Sequence, residues 1–517
     1  MGNNNGTQPS IAIIGSGFSG LGLAIRLVRA GYDNLRIYEK RDDVGGVWRD
    51  NTYPGAACDA PSHLYSYSFH PKPDWSRRFA EQPEILAYLR ECAEHYGLLS
   101  QIRFDTEIVT AEYDADQRHW VLTDRGGAVF TADVLVTACG QLSVPSYPPI
   151  PGLHEFSGVM FHSARWDHDH DLTGRAVAVI GNGASAIQFV PHVAERARSL
   201  TIFQRQAHWI SPKPDHEYPR LRRRLNLRIP LLHKLPRAGV FVWFEMVLNP
   251  MLVSRYGRKL LSFPIRLWCR WNLRKVAEPR LRARLTPDYE IGCNRILTSN
   301  DYYQTLNRDD THVVTDAVTR IEDGALITED GRSHPVDTII LATGFRSHDF
   351  VAPMRVIGLD GTDLVTAWDR RPRAYLGLSV PGFPNLFLMY GPNTNVGSGS
   401  IVHMLESQMN YIIDALDQMR HRGGYLDLRP EVLDRFDAKV QDQLATTVWS
   451  TGGCNSWYIA RTARGPANTN NWPESMRSYR RRTRRLDPTL YRTAPAPGPR
   501  VENPVAAPAT VAGDGEH

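Results

Sequence analysis

The sequence predicts an α/β fold made of two similar strand-turn-helix units, with a helical insertion in the second. Three observations predict this fold. The first two are glycine-rich turns at 15–20 and 181–186, each preceded by a short apolar run and followed by a helical pattern. The third is the segment 209–290, where Arg, Trp and Leu recur at helical spacing. Because such turns hold a pyrophosphate at a helix N-terminus, we predict two Rossmann-like dinucleotide-binding domains.

Length and composition limit the remaining possibilities. A chain of 517 residues should form two to three domains at roughly 150 residues each. Its 42% hydrophobic and 22% charged residues are typical of a globular protein. The formal charge of +5 by itself favours neither a nucleic-acid nor a membrane partner. The apolar run 239–253 is shorter than the roughly 20 residues of a membrane-spanning helix, so we expect no integral membrane segment.

The six cysteines are scattered and contain no CxxC pair. This spacing predicts neither a disulfide framework nor a metal site. The first residues, MGNNNGTQPS, lack the basic and apolar regions of a secretory signal. Together these features predict a cytoplasmic protein with reduced cysteines.

The first glycine turn follows the apolar run 11–14 and contains Gly15, Gly17 and Gly20. The next predicted strand ends in Glu39, 19 residues after Gly20, where a carboxylate can accept hydrogen bonds from an adenosine ribose. The unit therefore suits FAD. The alternative is a glycine-rich turn in an unrelated α/β domain.

The second turn contains Gly181, Gly183 and Ser185, and the strand after it leads to Arg205, 22 residues beyond Gly183. A guanidinium can pair with a 2′-phosphate at two points, whereas a carboxylate would repel it. The second unit therefore suits NADPH. The alternative is that Arg205 is a solvated surface residue.

The hydrophobic pattern of a further segment, 45–69, has the period of neither a helix nor a strand. Glycines at its start, including Gly46, would let the backbone lie close to a flat ring system, and Trp48 offers an aromatic surface. Asp59 stands among small and apolar residues and is a candidate for a paired carboxylate. A turn or cap role for Asp59 is the alternative.

Two motifs carry a family resemblance. Residues 45–59 fit [A/G]GxWxxxx[F/Y]P[G/M]xxxD, and residues 156–167 fit FxGxxxHxxxW[P/D], at every specified position. With the two glycine turns, the sequence resembles the type I Baeyer–Villiger monooxygenases over nearly its whole length. The N- and S-oxygenating flavin monooxygenases share fragments of these motifs and are the alternative.

The resemblance implies an enzyme that consumes NADPH and uses FAD to insert one oxygen atom of O₂ next to a ketone carbonyl. The product is an ester or lactone, formed through a C4a-peroxyflavin. The heteroatom-oxygenating enzymes share the fold and both cofactors. A chain without catalytic turnover is disfavoured because Asp59 and Arg295 are both present.

The resemblance also implies residue roles. Arg295 matches the arginine that points at the flavin and stabilises charge, and Asp59 is its partner. Asn294 stands where a lysine usually helps to bind the 2′-phosphate, so preference for NADPH rests on Arg205. We assign His162 and Trp166 to coupling of the domains, away from the flavin C4a atom.

The chain divides into consecutive parts, and Asn393 lies in a loop expected to close over the flavin. The predicted parts are an FAD-binding domain (1–150 and 371–490), an NADPH-binding domain (151–208 and 291–370), a helical insertion (209–290) and a disordered tail (491–517). The charged positions of the insertion are interpreted as a solvated face, or alternatively as a peripheral membrane contact through 220–275.

Overall fold

The computed structural model describes residues 8–422, 424–462 and 465–493. The N-terminal part alternates strands and helices: β1 (Ile11–Ile14), α1 (Phe18–Arg29), β2 (Leu35–Tyr38), α2 (Val47–Asp50), α3 (Gln82–His95), β3 (Ile102–Arg103), β4 (Ile108–Asp114), β5 (His119–Asp124), β6 (Val129–Ala132) and β7 (Val134–Thr137).

The middle part contains a second alternating unit and a run of helices: β8 (Val159–His162), β9 (Ala176–Ile180), α4 (Ala186–Ala194), β10 (Ser199–Phe203), β11 (Ile210–Ser211), α5 (Arg220–Arg228), α6 (Leu231–Trp243), α7 (Asn249–Val253), α8 (Arg255–Leu273), α9 (Pro279–Arg284), β12 (Leu297–Thr298), α10 (Tyr302–Thr305), β13 (Thr311–Val314), β14 (Val318–Glu322), β15 (Ala325–Thr328), β16 (Ser333–Pro335) and β17 (Thr338–Leu341). A π-helical turn, Phe244–Leu248, joins α6 to α7.

The C-terminal part is mainly helical: β18 (Arg355–Ile357), α11 (Leu364–Trp368), β19 (Leu386–Leu388), α12 (Ile401–Arg422), β20 (Asp427–Leu428), α13 (Pro430–Ala445), α14 (Val448–Thr451), β21 (Ile459–Thr462), β22 (Gly465–Asn468), α15 (Met476–Arg482) and β23 (Tyr491–Arg492).

The first glycine turn belongs to a five-stranded parallel sheet with the order β19-β7-β1-β2-β3. All four residues of β1 are buried, as expected for a central strand covered on both faces. Ile13 lies between Ile37 of β2 and Val136 of β7, and these side chains belong to one hydrophobic core. Because β1 is the middle strand, the glycine turn that follows it lies at the middle of the sheet's carboxyl end.

The second glycine turn belongs to another five-stranded parallel sheet, with the order β13-β10-β9-β17-β8. Here β9 has the central place that β1 has in the first sheet, and its five residues are buried. Val179 lies between Ile202 of β10 and Ile340 of β17. The predicted α/β architecture with two such units is confirmed.

A four-stranded sheet with the order β18-β4-β5-β6 covers the first unit. Its edge strand β18 runs parallel to β4, with Val356 opposite Ala111. Residues 355–357 therefore pair with the first unit, so the predicted boundary at 370 lies too late in the chain. The hydrophobic period of the sequence could not reveal this boundary, because a strand of three residues is too short to show an alternation of apolar and polar residues.

Helices α5 to α9 form the predicted insertion between the strands of the second unit. The inner face of α8 carries Cys269 and Leu273, which are buried. The Asn272 amide nitrogen donates to the backbone oxygen of Ile210 at 3.3 Å and to that of Ser299 at 3.2 Å. The insertion is therefore fixed to the body of the protein by both apolar and polar contacts.

The first residues of the predicted tail form a strand. Leu428 of β20 pairs with Tyr491 of β23, and Tyr491 is 3% exposed. The prediction that disorder begins at 491 was wrong for these residues, because the Tyr491 ring is part of the core. The rest of the predicted tail, 494–517, lies outside the described residues. Within the described part of the chain, no helix has the length and apolar character needed to cross a bilayer.

Candidate active site

A cavity of about 1550 Å³ extends along both glycine turns. Its wall includes Gly15 and Gly17 of the first turn and Gly181 and Gly183 of the second. Pockets for one small ligand usually measure roughly 300–1,000 Å³. The cavity therefore has room for more than one small ligand and reaches the ends of β1 and β9.

The first turn depends on glycine at two positions. Gly15 has φ +105°, and a Cβ there would lie 2.7 Å from the backbone oxygen of Ala138. A Cβ at Gly20 would lie 1.9 Å from the backbone oxygen of Gly15. Gly20 does not line the cavity, so its role is close packing of α1 on the turn, whereas Gly15 and Gly17 form the wall.

Glu39 lies at the end of β2, on the wall of the same cavity. Its Oε2 atom accepts hydrogen bonds from the backbone nitrogen of Ser16 at 2.9 Å and from the Ser16 hydroxyl at 2.7 Å. The carboxylate is thereby held next to the glycine turn. This position fits an adenosine ribose beside a pyrophosphate on the turn.

The segment 45–59 forms the adjoining wall. Gly46 has φ +55°, and a Cβ there would lie 3.1 Å from the Gly17 Cα atom, so the two glycines let these segments approach closely. Trp48 lines the cavity, and its indole nitrogen donates to the Tyr65 hydroxyl at 3.0 Å. The Trp48 side chain and the backbone of the two glycines leave a wall that fits a flat ring system.

The second turn repeats this construction. Gly181 has φ +108°, and a Cβ there would lie 2.4 Å from the backbone oxygen of Ala342. A Cβ at Gly183 would meet no protein atom within 4 Å and would point into open space. Ser185, which immediately precedes α4, also lines the cavity. Both turns therefore present backbone to a dinucleotide.

Arg205 lies just after β10, exposed and on the cavity wall. It forms no ion pair with any described residue. Asn294 is buried, and its amide nitrogen lies 3.3 Å from the Gln206 side-chain oxygen. Sequence reasoning missed Arg284, at the end of α9, which also lines this cavity. It was overlooked because α9 belongs to the insertion, where arginines were interpreted as solvated.

Asp59 and Arg295 meet at the cavity wall. The Arg295 Nε atom donates to Asp59 Oδ2 at 2.6 Å, and Nη2 donates to Oδ1 at 2.8 Å. The Arg295 side chain is 35% exposed and that of Asp59 is 30% exposed. Burial tends to raise the pKa of Asp59, but the charge and hydrogen bonds of Arg295 outweigh it and lower the pKa. The charge of Asp59 raises the pKa of Arg295, so both groups are ionised.

Aromatic residues surround this ion pair. Burial raises the pKa of Tyr390 and of Tyr458, although the nearby charge of Arg295 opposes the shift, so both phenols are neutral. Trp457 lines the cavity and is 38% exposed. Trp472 is buried in the core.

A disulfide joins Cys293 to Cys454, with a sequence separation of 161 residues. The expectation of a chain without disulfides was wrong, because cysteines so far apart leave no local spacing pattern. The bond ties the segment before Arg295 to the loop that carries Trp457. The predicted cytoplasmic location loses the support that it took from cysteine spacing.

His162 ends β8 and does not line the cavity. Its Nδ1 atom accepts a hydrogen bond from the backbone nitrogen of Ala164 at 3.1 Å. Its ring lies 5.7 Å from that of Tyr147 and 5.9 Å from that of Phe345, centroid to centroid. Tyr147 and Phe345 belong to the two segments that connect the sheets. These segments pair through an antiparallel bridge between Pro145 and Phe345. Burial lowers the pKa of His162 to about 4.

The two fingerprint motifs converge on Phe189 of α4. The ring of Tyr53, from the segment 45–59, lies 6.0 Å from that of Phe189, and the ring of Trp166 lies 5.2 Å from it. The Tyr53 hydroxyl also donates to the Gln188 side-chain oxygen at 3.0 Å. The segment that carries Asp59 is thereby attached to the helix of the second unit.

Asn393 requires a correction. Its side-chain amide donates to the backbone oxygens of Asn468 at 2.8 Å and of Asn471 at 3.0 Å. It does not line the cavity, whereas Asn395 does. Asn393 therefore stabilises the loop on the side away from the cavity. The sequence does not show which of two asparagines in one polar loop lines a cavity.

Comparison with known proteins agrees with this geometry. The profile of the flavin-binding monooxygenase-like family matches residues 8–249. The chain is 43% identical to a Baeyer–Villiger monooxygenase of Pseudomonas aeruginosa over 488 residues, which is 94% of this chain and 92% of the relative. It is 42% identical to a Baeyer–Villiger monooxygenase of Streptomyces coelicolor, over 94% of this chain and 93% of the relative.

Solved structures give the same result. An oxidised steroid monooxygenase bound to NADP superposes with a TM-score of 0.79 at 31% identity, covering 92% of this chain and 97% of that one. The OTEMO complex with FAD and NADP has a TM-score of 0.82 at 26% identity, with coverage of 94% and 99%. The chain therefore belongs to the Baeyer–Villiger monooxygenases among the flavin-binding monooxygenases. It is an FAD- and NADPH-dependent enzyme that carries out Baeyer–Villiger oxygen insertion, as the resemblance predicted.

Proposed function

We propose that the Asp59–Arg295 pair is the catalytic centre at which a ketone is converted to an ester or lactone with one oxygen atom of O₂. The observation that carries this assignment is the two-point ion pair on the wall of a cavity that also touches both glycine turns. A fixed guanidinium with about a third of its surface accessible can reach a substrate and still be held in place.

The domain assignment supports this arrangement. The first glycine turn with Glu39, Gly46 and Trp48 is proposed to hold FAD, and the second turn with Arg205 to hold NADPH. When bound, FAD would supply the redox chemistry, with hydride from NADPH and activation of O₂. The protein contributes binding, orientation and charge.

Arg295 is proposed to stabilise the negative charge that develops on oxygen as the carbonyl carbon is attacked. Loss of one such preorganised donor typically raises the barrier by about 3–4 kcal/mol. Asp59 acts through Arg295: its two oxygens fix the plane of the guanidinium. Asp59 is therefore a positioning residue in this account.

Two cations are proposed for the 2′-phosphate of NADPH. Arg205 is the first, and Arg284 supplies the second cation that Asn294 cannot. Both arginines are exposed on the wall of the cavity, and neither has a carboxylate partner among the described residues. A guanidinium binds phosphate best when no carboxylate competes for it.

His162 and Trp166 are proposed to couple the two dinucleotide units. The His162 ring packs against rings of both connecting segments. The Trp166 ring packs on Phe189, and the Tyr53 ring packs on Phe189 as well. Neither residue lines the cavity. Their contacts would hold the second unit against the segment that carries Asp59 and keep water from the reaction.

A panel of ketones and sulfides with NADPH tests the proposed function. We expect cyclic or linear ketones to give products heavier by one oxygen atom with the fragmentation of esters or lactones. An enzyme that produces sulfoxides or N-oxides and no ester from any ketone would instead be a heteroatom-oxygenating flavin monooxygenase.

The location of the protein in the cell and its contact with a membrane are also proposals. The proposed location is cytoplasmic. A peripheral membrane contact through 220–275 rests on the amphipathic pattern of that segment.

A further inference from the structure

The helical insertion carries most of the exposed apolar side chains. The described residues include 22 exposed large hydrophobic side chains, and 16 of them lie between Leu221 and Trp271. Large contiguous apolar surfaces on a folded protein usually mark an interaction site. A merely solvated face would instead present charged groups with few large apolar ones.

Helix α8 shows how this surface is built. Five apolar side chains follow one another at spacings of three or four residues and are between 49% and 85% exposed: Tyr256, Leu260, Phe263, Leu267 and Trp271. The buried residues of the same helix include Cys269 and Leu273, which face the protein body. Residues three and four apart share one helix face, so the five form a stripe directed away from the body.

A basic stripe runs beside the apolar one. Arg255, Lys259, Arg266 and Arg270 each precede a member of the apolar stripe by one position. One residue corresponds to a rotation of about 100° around the helix, so the cations flank the apolar side chains. This combination of an apolar face with a flanking row of Lys and Arg is typical of helices that lie in a membrane interface.

Charge is concentrated in the same segment. Residues 220–275 contain fourteen lysines and arginines and one acidic residue, Glu245, which gives +13. The whole chain has +5, so the remaining residues sum to −8. Glu245 is buried and accepts a hydrogen bond from the backbone nitrogen of Met476. Among the described residues, the only ion pair of this segment joins Arg258 to Glu290 at 3.0 Å.

Helix α6 and the turn after it carry a second set of exposed apolar side chains. Leu231, Leu235, Val242 and Met246 are all more than half exposed and fall on one side of the helix. The neighbouring Asn249 amide donates to the backbone oxygen of Glu474 at 3.1 Å, and Arg237 donates to the backbone oxygen of His63 at 2.6 Å. The surface is therefore held at a fixed position on the enzyme.

We infer that the outer faces of α6 and α8 form a docking surface for a bilayer that contains anionic phospholipid. The apolar side chains enter the acyl region, and the flanking cations meet the phosphate groups. Trp243, Trp268 and Trp271 are exposed there, and tryptophan favours the level of the headgroups. A second copy is disfavoured as occupant, because a symmetric contact would bring two faces of strong positive charge together. This inference specifies the membrane contact proposed above and is independent of the oxygenation chemistry.

Vesicle sedimentation with the FAD-loaded enzyme tests this docking surface. At about 0.1 M salt we expect the enzyme to sediment with phosphatidylcholine vesicles that contain about 30 mol% phosphatidylglycerol, and to remain in solution with pure phosphatidylcholine. Raising the salt to about 1 M should release it in large part. Arg255→Gln, Lys259→Gln, Arg266→Gln and Arg270→Gln together should weaken binding by about 100-fold or more.

Leu260→Ser with Phe263→Ser tests the apolar part. We expect at least a tenfold loss of vesicle binding, because each CH₂ group buried in the bilayer contributes roughly 0.8 kcal/mol and both substitutions remove several such groups. Val129→Ser with Val365→Ser is the matched control, because these valines are also exposed but lie elsewhere. Ketone oxygenation in vesicle-free solution should not change in either pair. The inference is overturned if wild-type enzyme ignores the anionic vesicles, if the control pair loses binding equally, or if the surface mediates a dimer and no lipid contact.

Discussion

Asp59 and Arg295 are separated by 236 positions in sequence, yet two hydrogen bonds of 2.6 and 2.8 Å join them. Asp59 follows the glycine-rich segment of the first unit, and Arg295 follows the insertion in the second. The pair therefore links the part of the cavity wall that belongs to the first unit to the part that belongs to the second. Its geometry depends on how the two units are held together.

The first prediction concerns Asp59→Asn. The amide can accept one hydrogen bond but carries no charge, so the Arg295 guanidinium loses its two-point partner. We expect kcat for ester formation to fall about tenfold or more, since hydrogen bonds between charged groups contribute about 1.5–3 kcal/mol. Steady-state kinetics with a ketone checks this, and Asp59→Glu should recover part of the loss. A kcat unchanged in Asp59→Asn would exclude the positioning role.

The same variant has a pH signature. The pKa of Asp59 lies below its usual value near 3.8, so its contribution to stability is present above that value and is lost as pH falls through the lowered pKa. The difference in Tm between wild type and Asp59→Asn should be constant from about pH 8 to 5 and shrink below about pH 4. A difference that grows on acidification would contradict the ionised pair.

The second prediction concerns the 2′-phosphate. Arg205→Ala should raise KM for NADPH by about 10- to 100-fold, since hydrogen bonds to charged groups contribute about 1.5–3 kcal/mol. KM for NADH should change little. Arg284→Ala should show the same selectivity with a smaller effect. Equal changes for both nucleotides would exclude a phosphate contact by the residue concerned.

The third prediction concerns coupling. Trp166→Ala removes the ring that packs 5.2 Å from Phe189 and 5.1 Å from Phe161. We expect less ester and more hydrogen peroxide per NADPH consumed, because the second unit is held less firmly and water enters the site. Trp166→Phe keeps a ring and should stay nearer to wild type. An unchanged ratio of ester to NADPH in the folded Trp166→Ala protein would remove Trp166 from the coupling.

The fourth prediction concerns the Cys293–Cys454 bond. Cys293→Ser with Cys454→Ser should lower the free energy of unfolding by about 2–5 kcal/mol, because the bond closes a long loop. It should also reduce ketone oxygenation, since the bond connects the segment of Arg295 to that of Trp457. Reducing agent should lower the Tm of wild type and leave that of the double variant unchanged. Equal sensitivity of both proteins to reductant would contradict this role.

Local patterns were sufficient for the two nucleotide units. In β1 and β9 a short apolar run leads into a glycine turn, and both the burial of the strand and the positive φ of Gly15 and Gly181 follow from that local sequence. The placement of Glu39 and Arg205 on the cavity wall follows too, because each lies within two residues of the end of the next strand of a parallel sheet.

Long-range features could not be read from the sequence. The disulfide, the pairing of β18 with β4 and the position of Tyr491 in the core all depend on which distant segments meet. Asn393 and Asn395 have the same side chain and lie two residues apart, and only the folded loop distinguishes the one that lines the cavity. Arg284 was missed for a related reason, because helical spacing does not tell which solvated arginine borders a site.

The measurement that tests the catalytic role of Arg295 most directly is ester formed per flavin reduced in Arg295→Ala. Rapid-mixing absorbance at the flavin band should show reduction by NADPH at close to the wild-type rate, because Arg295 is not needed for hydride transfer. Ester formation should fall by about 100-fold or more, with NADPH oxidation continuing and releasing hydrogen peroxide. Ester formed at close to the wild-type rate would contradict the account.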